Sequence, residues 1–164
     1  MIEEEIKLLD VNPDEVREIL EEKGKLVWKG VMKSYYLDFE DLRLKKQGAV
    51  LRIRKAYGKV VITHKSNIRE GETRVADEIE VEANDFDNAV EIMKKLGLKV
   101  MYKLENYREE YKLGNVKVEL EHMDKIGWFV EIEGSREDIE KAIKELKLEG
   151  KKRTSKTKLE LLYG

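Results

Sequence analysis

The chain has 164 residues, 41% of them hydrophobic and 41% charged, the latter well above the ~25% of ordinary soluble proteins. Its formal net charge is -2 and it contains no cysteine. Long-range steering of nucleic acid or of an anionic membrane is therefore excluded, as are disulfides and thiolate metal sites. The acidic start Met1-Ile2-Glu3-Glu4-Glu5 lacks the apolar stretch of a signal peptide. No apolar run approaches the roughly 18 residues of a membrane span. The expectation is a cytoplasmic protein of one domain, residues 1–164, with a Glu/Lys bias of thermophile type.

Residues 1–9 read as a strand. Asn12 then caps a helix with Pro13 at its first position and Gly24 as its stop. Strands are predicted over residues 27–38, 49–57 and 59–66, the last two joined at Gly58, with an exposed loop over 67–72 and a strand over 73–81. Residues 85–96 form an amphipathic helix ended by Gly97. Strands follow over 98–111 and 116–123, joined by the hairpin signal Gly114-Asn115, and over 127–133. Ser135 caps a helix to about residue 146, and 156–163 suits a short last helix.

Six strands share one pattern of alternation. Glu3, Glu5 and Lys7 oppose Ile2, Ile6 and Leu8; Arg52 and Arg54 oppose Leu51 and Ile53; Thr63 and Lys65 oppose Ile62 and His64. Glu78, Glu80 and Glu82 oppose Ile79 and Val81; Glu119 and Glu121 oppose Val118 and Leu120; Glu131 and Glu133 oppose Val130 and Ile132. An antiparallel sheet with one solvated face alternates in the same way. Two features favour enclosure instead. The charges are sorted by sign, strand by strand, and three amphipathic helices are available to cover the aliphatic face. If the sheet closes, the charged face lines an interior, where ionised groups persist only when paired or bound to ions. The predicted fold class is α+β: a closed antiparallel β-barrel of about eight strands, with a charged interior and flanking helices.

These residues carry a family resemblance that runs through the whole chain. Glu3-x-Glu5-x-Lys7 resembles the ExExK signature of the CYTH superfamily of triphosphate tunnel enzymes. The likeness continues through Tyr36-x-Asp38, Leu51-Arg52-Ile53-Arg54, Lys65, Asp77-Glu78-Ile79-Glu80, Lys103, Arg108, Gly127-x-Phe129-x-Glu131-x-Glu133 and Glu160-Leu161-Leu162. It implies a divalent-metal-dependent enzyme acting on a triphosphate such as ATP, thiamine triphosphate or tripolyphosphate, as a class IV adenylate cyclase or a triphosphatase. It implies Mg²⁺ or Mn²⁺ on Glu3, Glu5, Glu121, Glu131 and Glu133, oxygen donors of the kind hard cations prefer. It implies phosphate contacts from Lys7, Arg52, Arg54, Lys65, Lys103 and Arg108, and catalytic roles for Lys7, Glu78 and Glu80. A homodimer is left open. Three departures stand out. Glu121 replaces a customary Asp, Ala76 a customary Arg with Arg74 two residues away, and Thr157-Lys158 a Ser-Tyr pair. The last two keep a second reading alive, a non-catalytic binder of nucleotide or polyphosphate. A charged sheet with no ligand is a third.

Overall fold

The structure is a computed structural model that describes residues 2–164, with only the backbone described at Ile2, Glu3, Asn67 and Glu70. Its strands are β1 (Ile2–Leu9), β2 (Lys25–Asp38), β3 (Val50–Ala56), β4 (Lys59–Glu70), β5 (Arg74–Ala83), β6 (Lys99–Leu113), β7 (Val116–Met123), β8 (Gly127–Glu133) and β9 (Arg153–Thr154). Its helices are α1 (Pro13–Lys23), α2 (Arg43–Lys46), α3 (Phe86–Lys95), α4 (Arg136–Glu145) and α5 (Lys158–Tyr163). The strand order is β5-β4-β3-β2-β6-β7-β8-β1, and β1 pairs back to β5, which closes the expected antiparallel barrel. The two-residue β9 adds to β1 at Lys7 and Leu8. Closure leaves the long strands without the open edges that invite aggregation.

Local chemistry accounts for most elements. The Asn12 side chain accepts hydrogen bonds from the backbone N–H groups of Asp14 and Glu15, and Pro13 opens α1. Asp85 and Ser135 cap α3 and α4 by accepting from Asn88 and Asp138. Gly114 sits at φ +58° in the β6–β7 turn, a backbone state that costs glycine least.

Contacts group the chain into two compact units. The first comprises Ile2, Val31–Ile68 and Ala76–Glu105. Its core packs Phe86, Ala89 and Val90 of α3 on Leu37, Ile53 and Val60. The second comprises Glu3–Gly30, Arg69–Val75 and Asn106–Gly164. Here Val16 and Leu20 of α1 and Ile139 and Ile143 of α4 cover Ile6, Leu8, Val118, Leu120, Val130 and Ile132. The alternation of β1, β7 and β8 thus turns its aliphatic side to helices, as expected.

Two expectations are corrected and two features are added. The loop over 67–72 is shorter, because β4 continues to Glu70. The short helix α2 was unforeseen. Asp38 builds it by accepting from the backbone N–H groups of Phe39 (2.7 Å), Leu44 (3.0 Å) and Lys45 (3.0 Å). On β5 the aliphatic side chains are not covered, Ile79 being 71% and Val81 60% exposed. Finally, β6 does not keep one alternation throughout. Val100 packs into the first unit's core and Tyr111 into the second's, so both parities serve the aliphatic side. A one-residue shift of that kind is what a bulge produces.

Candidate active site

In the second unit, register places the acidic residues opposite one another. Glu119 of β7 faces Glu131 of β8, Glu121 faces Phe129, and Lys7 of β1 faces Glu131. Glu119, Glu121 and Glu131 are 4%, 0% and 7% exposed, and an oxygen of each lies within 4.8 Å of the others. Three cations enclose them. Arg108 Nη2 lies 2.9 Å from Glu119 and 3.3 Å from Glu121. Lys7 Nζ lies 3.3 Å from Glu131 and 3.9 Å from Glu5. Lys158 Nζ, reaching in from α5, lies 3.3 Å from Glu121 and 3.6 Å from Glu131. Asn106 donates to Glu121 Oε1 at 2.6 Å.

Electrostatics divide the carboxylates. Burial pushes the Glu131 carboxyl up, but Lys158 and Lys7 outweigh it and hold the group well below the usual carboxylate range. Burial also opposes Glu119, yet Arg108 brings it down. For Glu121 burial prevails over Arg108 and Lys158, so its proton is held more tightly than usual. The Lys7 ammonium is raised, because Glu131, Glu5 and Glu121 together outweigh its burial.

These residues suit a hard divalent cation. Every donor is an oxygen, the three carboxylates converge, and the buried Glu119 Oε2 and Glu131 Oε2 are met by the cationic groups of Arg108 and Lys7 at ion-pair distance. Such a cation would be held by Glu119, Glu121 and Glu131, with Glu5 beside Lys7.

The first unit gathers a different group. Arg52 Nη2 donates to Thr63 Oγ1 at 3.4 Å, and Thr63 Oγ1 donates to Glu80 Oε1 at 3.3 Å. Arg54 Nε donates to Ser34 Oγ at 2.8 Å. Lys65 pairs with Glu78 at 3.5 Å. The Glu80 carboxyl is raised by a hydrogen bond shared with Glu78, then by burial and by the Glu78 charge.

Most sequence-predicted residues therefore fall into two groups: Glu5, Lys7, Arg108, Glu121 and Glu131 in one unit, and Arg52, Arg54, Lys65, Glu78 and Glu80 in the other. Glu133 stands aside, paired with Lys117 at 3.1 Å. The side chain of Glu3 lies outside the described residues. Lys103 joins neither group; it is exposed, with its ammonium 5.0 Å from the Tyr35 ring centre, on the aliphatic side of β2. It stands five residues from Arg108 on β6, an odd number, so the two side chains point to opposite faces.

Sequence reasoning passed over Glu119, Asn106, Thr63 and Lys158 as site residues. Glu119 and Asn106 share parity with Glu121 and Arg108, which was a usable signal. Lys158 gave none, since it arrives from a helix. Arg74, considered as a stand-in for the Arg absent at Ala76, is 5% exposed and pairs with Glu160 of α5 at 3.4 Å.

Comparisons with known proteins agree with this geometry. A protein of Methanocaldococcus jannaschii named "putative adenylate cyclase" is 31% identical over 143 residues, 85% of this chain and 80% of that protein. A structure from Vibrio parahaemolyticus, also named "putative adenylate cyclase", superposes with TM-score 0.89 at 17% identity, covering 100% of this chain and 99% of that one. A structure from Hippeastrum superposes with TM-score 0.74 at 19% identity, covering 98% and 93%; it is described as a "putative adenylyl cyclase" with a dominant triphosphatase activity. These two structural likenesses speak to the fold. The profile of the CYTH domain matches residues 1–162, and the chain belongs to the CYTH family.

Proposed function

We propose that this protein is a divalent-metal-dependent enzyme that cleaves a phosphoanhydride bond of a triphosphate. The observation that carries the reading is the buried convergence of Glu119, Glu121 and Glu131 beside Lys7 and Arg108. A bound Mg²⁺ or Mn²⁺ would neutralise phosphate charge and polarise the phosphorus under attack.

The chain's own residues do the rest. Glu119, Glu121 and Glu131 would hold the cation. Lys7 and Arg108 flank it as permanent positive charges that meet phosphate oxygens. Arg52, Arg54 and Lys65 form a set suited to phosphate, since the guanidinium fork matches two phosphate oxygens at once. Glu78 and Glu80 share a hydrogen bond, and the raised carboxyl of Glu80 is placed to take a proton at Oε1. The names of the relatives support two outcomes, cyclic AMP with pyrophosphate or release of orthophosphate.

The test offers ATP, thiamine triphosphate and tripolyphosphate with Mg²⁺ or Mn²⁺, reading cyclic AMP, pyrophosphate and orthophosphate separately. Turnover of at least one substrate is expected, lost about a hundredfold or more in Glu131→Gln and Arg52→Ala. Tight binding without product would replace the enzyme by a binding protein of the same fold.

A further inference from the structure

Lys158 is the one member of the carboxylate group that comes from a helix rather than a strand. Its side chain is 9% exposed, and its Nζ approaches Glu121 Oε1 and Glu131 Oε2, oxygens of two of the three converging carboxylates. The Lys158 Nζ lies 5.9 Å from the centre of the Phe129 ring. A lysine tip in this place resembles a tethered monovalent cation. We propose that Lys158 is a built-in competitor for the metal: its ammonium holds the carboxylates together in the metal-free protein and leaves them when a divalent cation enters.

Two arguments carry this, and both rest on the metal site described above. The first is occupancy. A small divalent cation binds carboxylate oxygens at about 2.0–2.1 Å. An ammonium 3.3 Å from Glu121 and 3.6 Å from Glu131 uses lone pairs that such a cation needs. The second is charge. Glu5, Glu119, Glu121 and Glu131 face Lys7, Arg108 and Lys158, while Lys117, which lies 3.5 Å from Glu119, brings Glu133 with it at 3.1 Å and so adds one charge of each sign. A divalent ion added to that set leaves five positive charges against four negative in a buried place. Withdrawal of one ammonium restores balance, and buried charge is tolerated only when balanced.

Lys7 and Arg108 stand on strands within the barrel, so they are poorly placed to leave. Lys158 has a flexible four-carbon stem on a six-residue helix. The helix itself stays anchored by the Arg74–Glu160 pair, and Thr157 Oγ1 caps its start by accepting from the Glu160 backbone N–H at 3.1 Å. Rotation of one side chain suffices, and the freed ammonium is then available to an incoming phosphate.

The experiment is a Mn²⁺ titration of the full chain, followed by the loss of the free-ion electron paramagnetic resonance signal. Wild type, Lys158→Met and Glu131→Gln are compared. Lys158→Met keeps the stem and is expected to bind Mn²⁺ at least about tenfold tighter than wild type, because one positive charge no longer opposes entry. Glu131→Gln is expected to bind much more weakly. Wild-type binding that depends on Glu131 while Lys158→Met binds equally or less tightly would overturn the exchange and leave the metal site standing. No Mn²⁺ binding by any form would overturn both. A second measurement needs no variant. Wild type is reductively methylated with and without Mg²⁺ and mapped by mass spectrometry. Methylation of Lys158 should rise several-fold with Mg²⁺ while that of Lys7 stays low, and equal labelling of Lys158 at saturating Mg²⁺ would refute the exchange.

Discussion

Replacing Glu131 by glutamine removes the carboxylate on which two buried ammonium groups converge, Lys7 at 3.3 Å and Lys158 at 3.6 Å. Breaking a buried ion pair by deleting one partner costs about 3–5 kcal/mol, chiefly because the other charge is stranded. Here neither lysine is left alone. Lys7 keeps Glu5 at 3.9 Å and Lys158 keeps Glu121 at 3.3 Å. The expected cost is therefore below that range, about 2–3 kcal/mol. At roughly 2–4 °C per kcal/mol for a domain of this size, the melting temperature falls by about 4–12 °C. The assay is thermal unfolding by circular dichroism at pH 7 in the presence of a chelator, so that no metal contributes. The pH dependence follows from the sign of the shift. The folded Glu131 carboxyl lies well below its ordinary value of 4.5, so its contribution is complete above that value. It is lost as pH falls through the lower, folded value. The gap between wild type and Glu131→Gln should thus narrow below pH 4.5. A variant as stable as wild type at pH 7, or a gap that widens in acid, would refute the account of Glu131 as the ionised centre of the group.

Glu121→Gln should behave oppositely in the absence of metal. Burial dominates that carboxyl and raises it, so its ionised form burdens the fold as pH rises. The variant keeps the Asn106 hydrogen bond, and its melting temperature at pH 7 should be unchanged or higher, while Mn²⁺ affinity falls about tenfold or more; a marked loss of stability would mean that Arg108 and Lys158 outweigh burial. On the other side of the strands, Arg17 donates to the 3% exposed Glu109 at 2.7 Å. Burial pushes that carboxyl up, and Arg17 and Tyr111 bring it below the ordinary value, so Arg17→Met should cost about 2–3 kcal/mol in urea unfolding at pH 7 and progressively less as pH drops through the carboxylate range. Asp38→Ala strips three backbone N–H groups of their acceptor, so it should cost about 2 kcal/mol and speed hydrogen exchange over residues 39–45, with protection elsewhere kept.

Much of this protein is written locally. Asn12, Asp85 and Ser135 cap their helices through atoms two or three residues away, so the signal is contained in a few letters. The alternation of acidic and aliphatic residues on β1, β7 and β8 follows from the two-residue repeat of a strand, and both faces were assigned correctly. The ordered motifs likewise carry the CYTH fold in the sequence itself. Other features depend on distance through space. Lys158 is 37 residues from Glu121 in sequence, by the numbering, yet 3.3 Å from it in the fold, and no periodicity announces such a contact. Lys103 was expected among the phosphate contacts on family resemblance, whereas its five-residue separation from Arg108 turns it to the opposite face of β6, toward Tyr35. Asp38 turned out to organise the turn into α2 because three N–H groups converge on it once the chain bends back. The opposite protonation tendencies of Glu121 and Glu131 had no counterpart in the sequence, where both are glutamates on equivalent faces. Burial and the positions of Arg108, Lys7 and Lys158 separate them, and those exist only once the strands and α5 have come together.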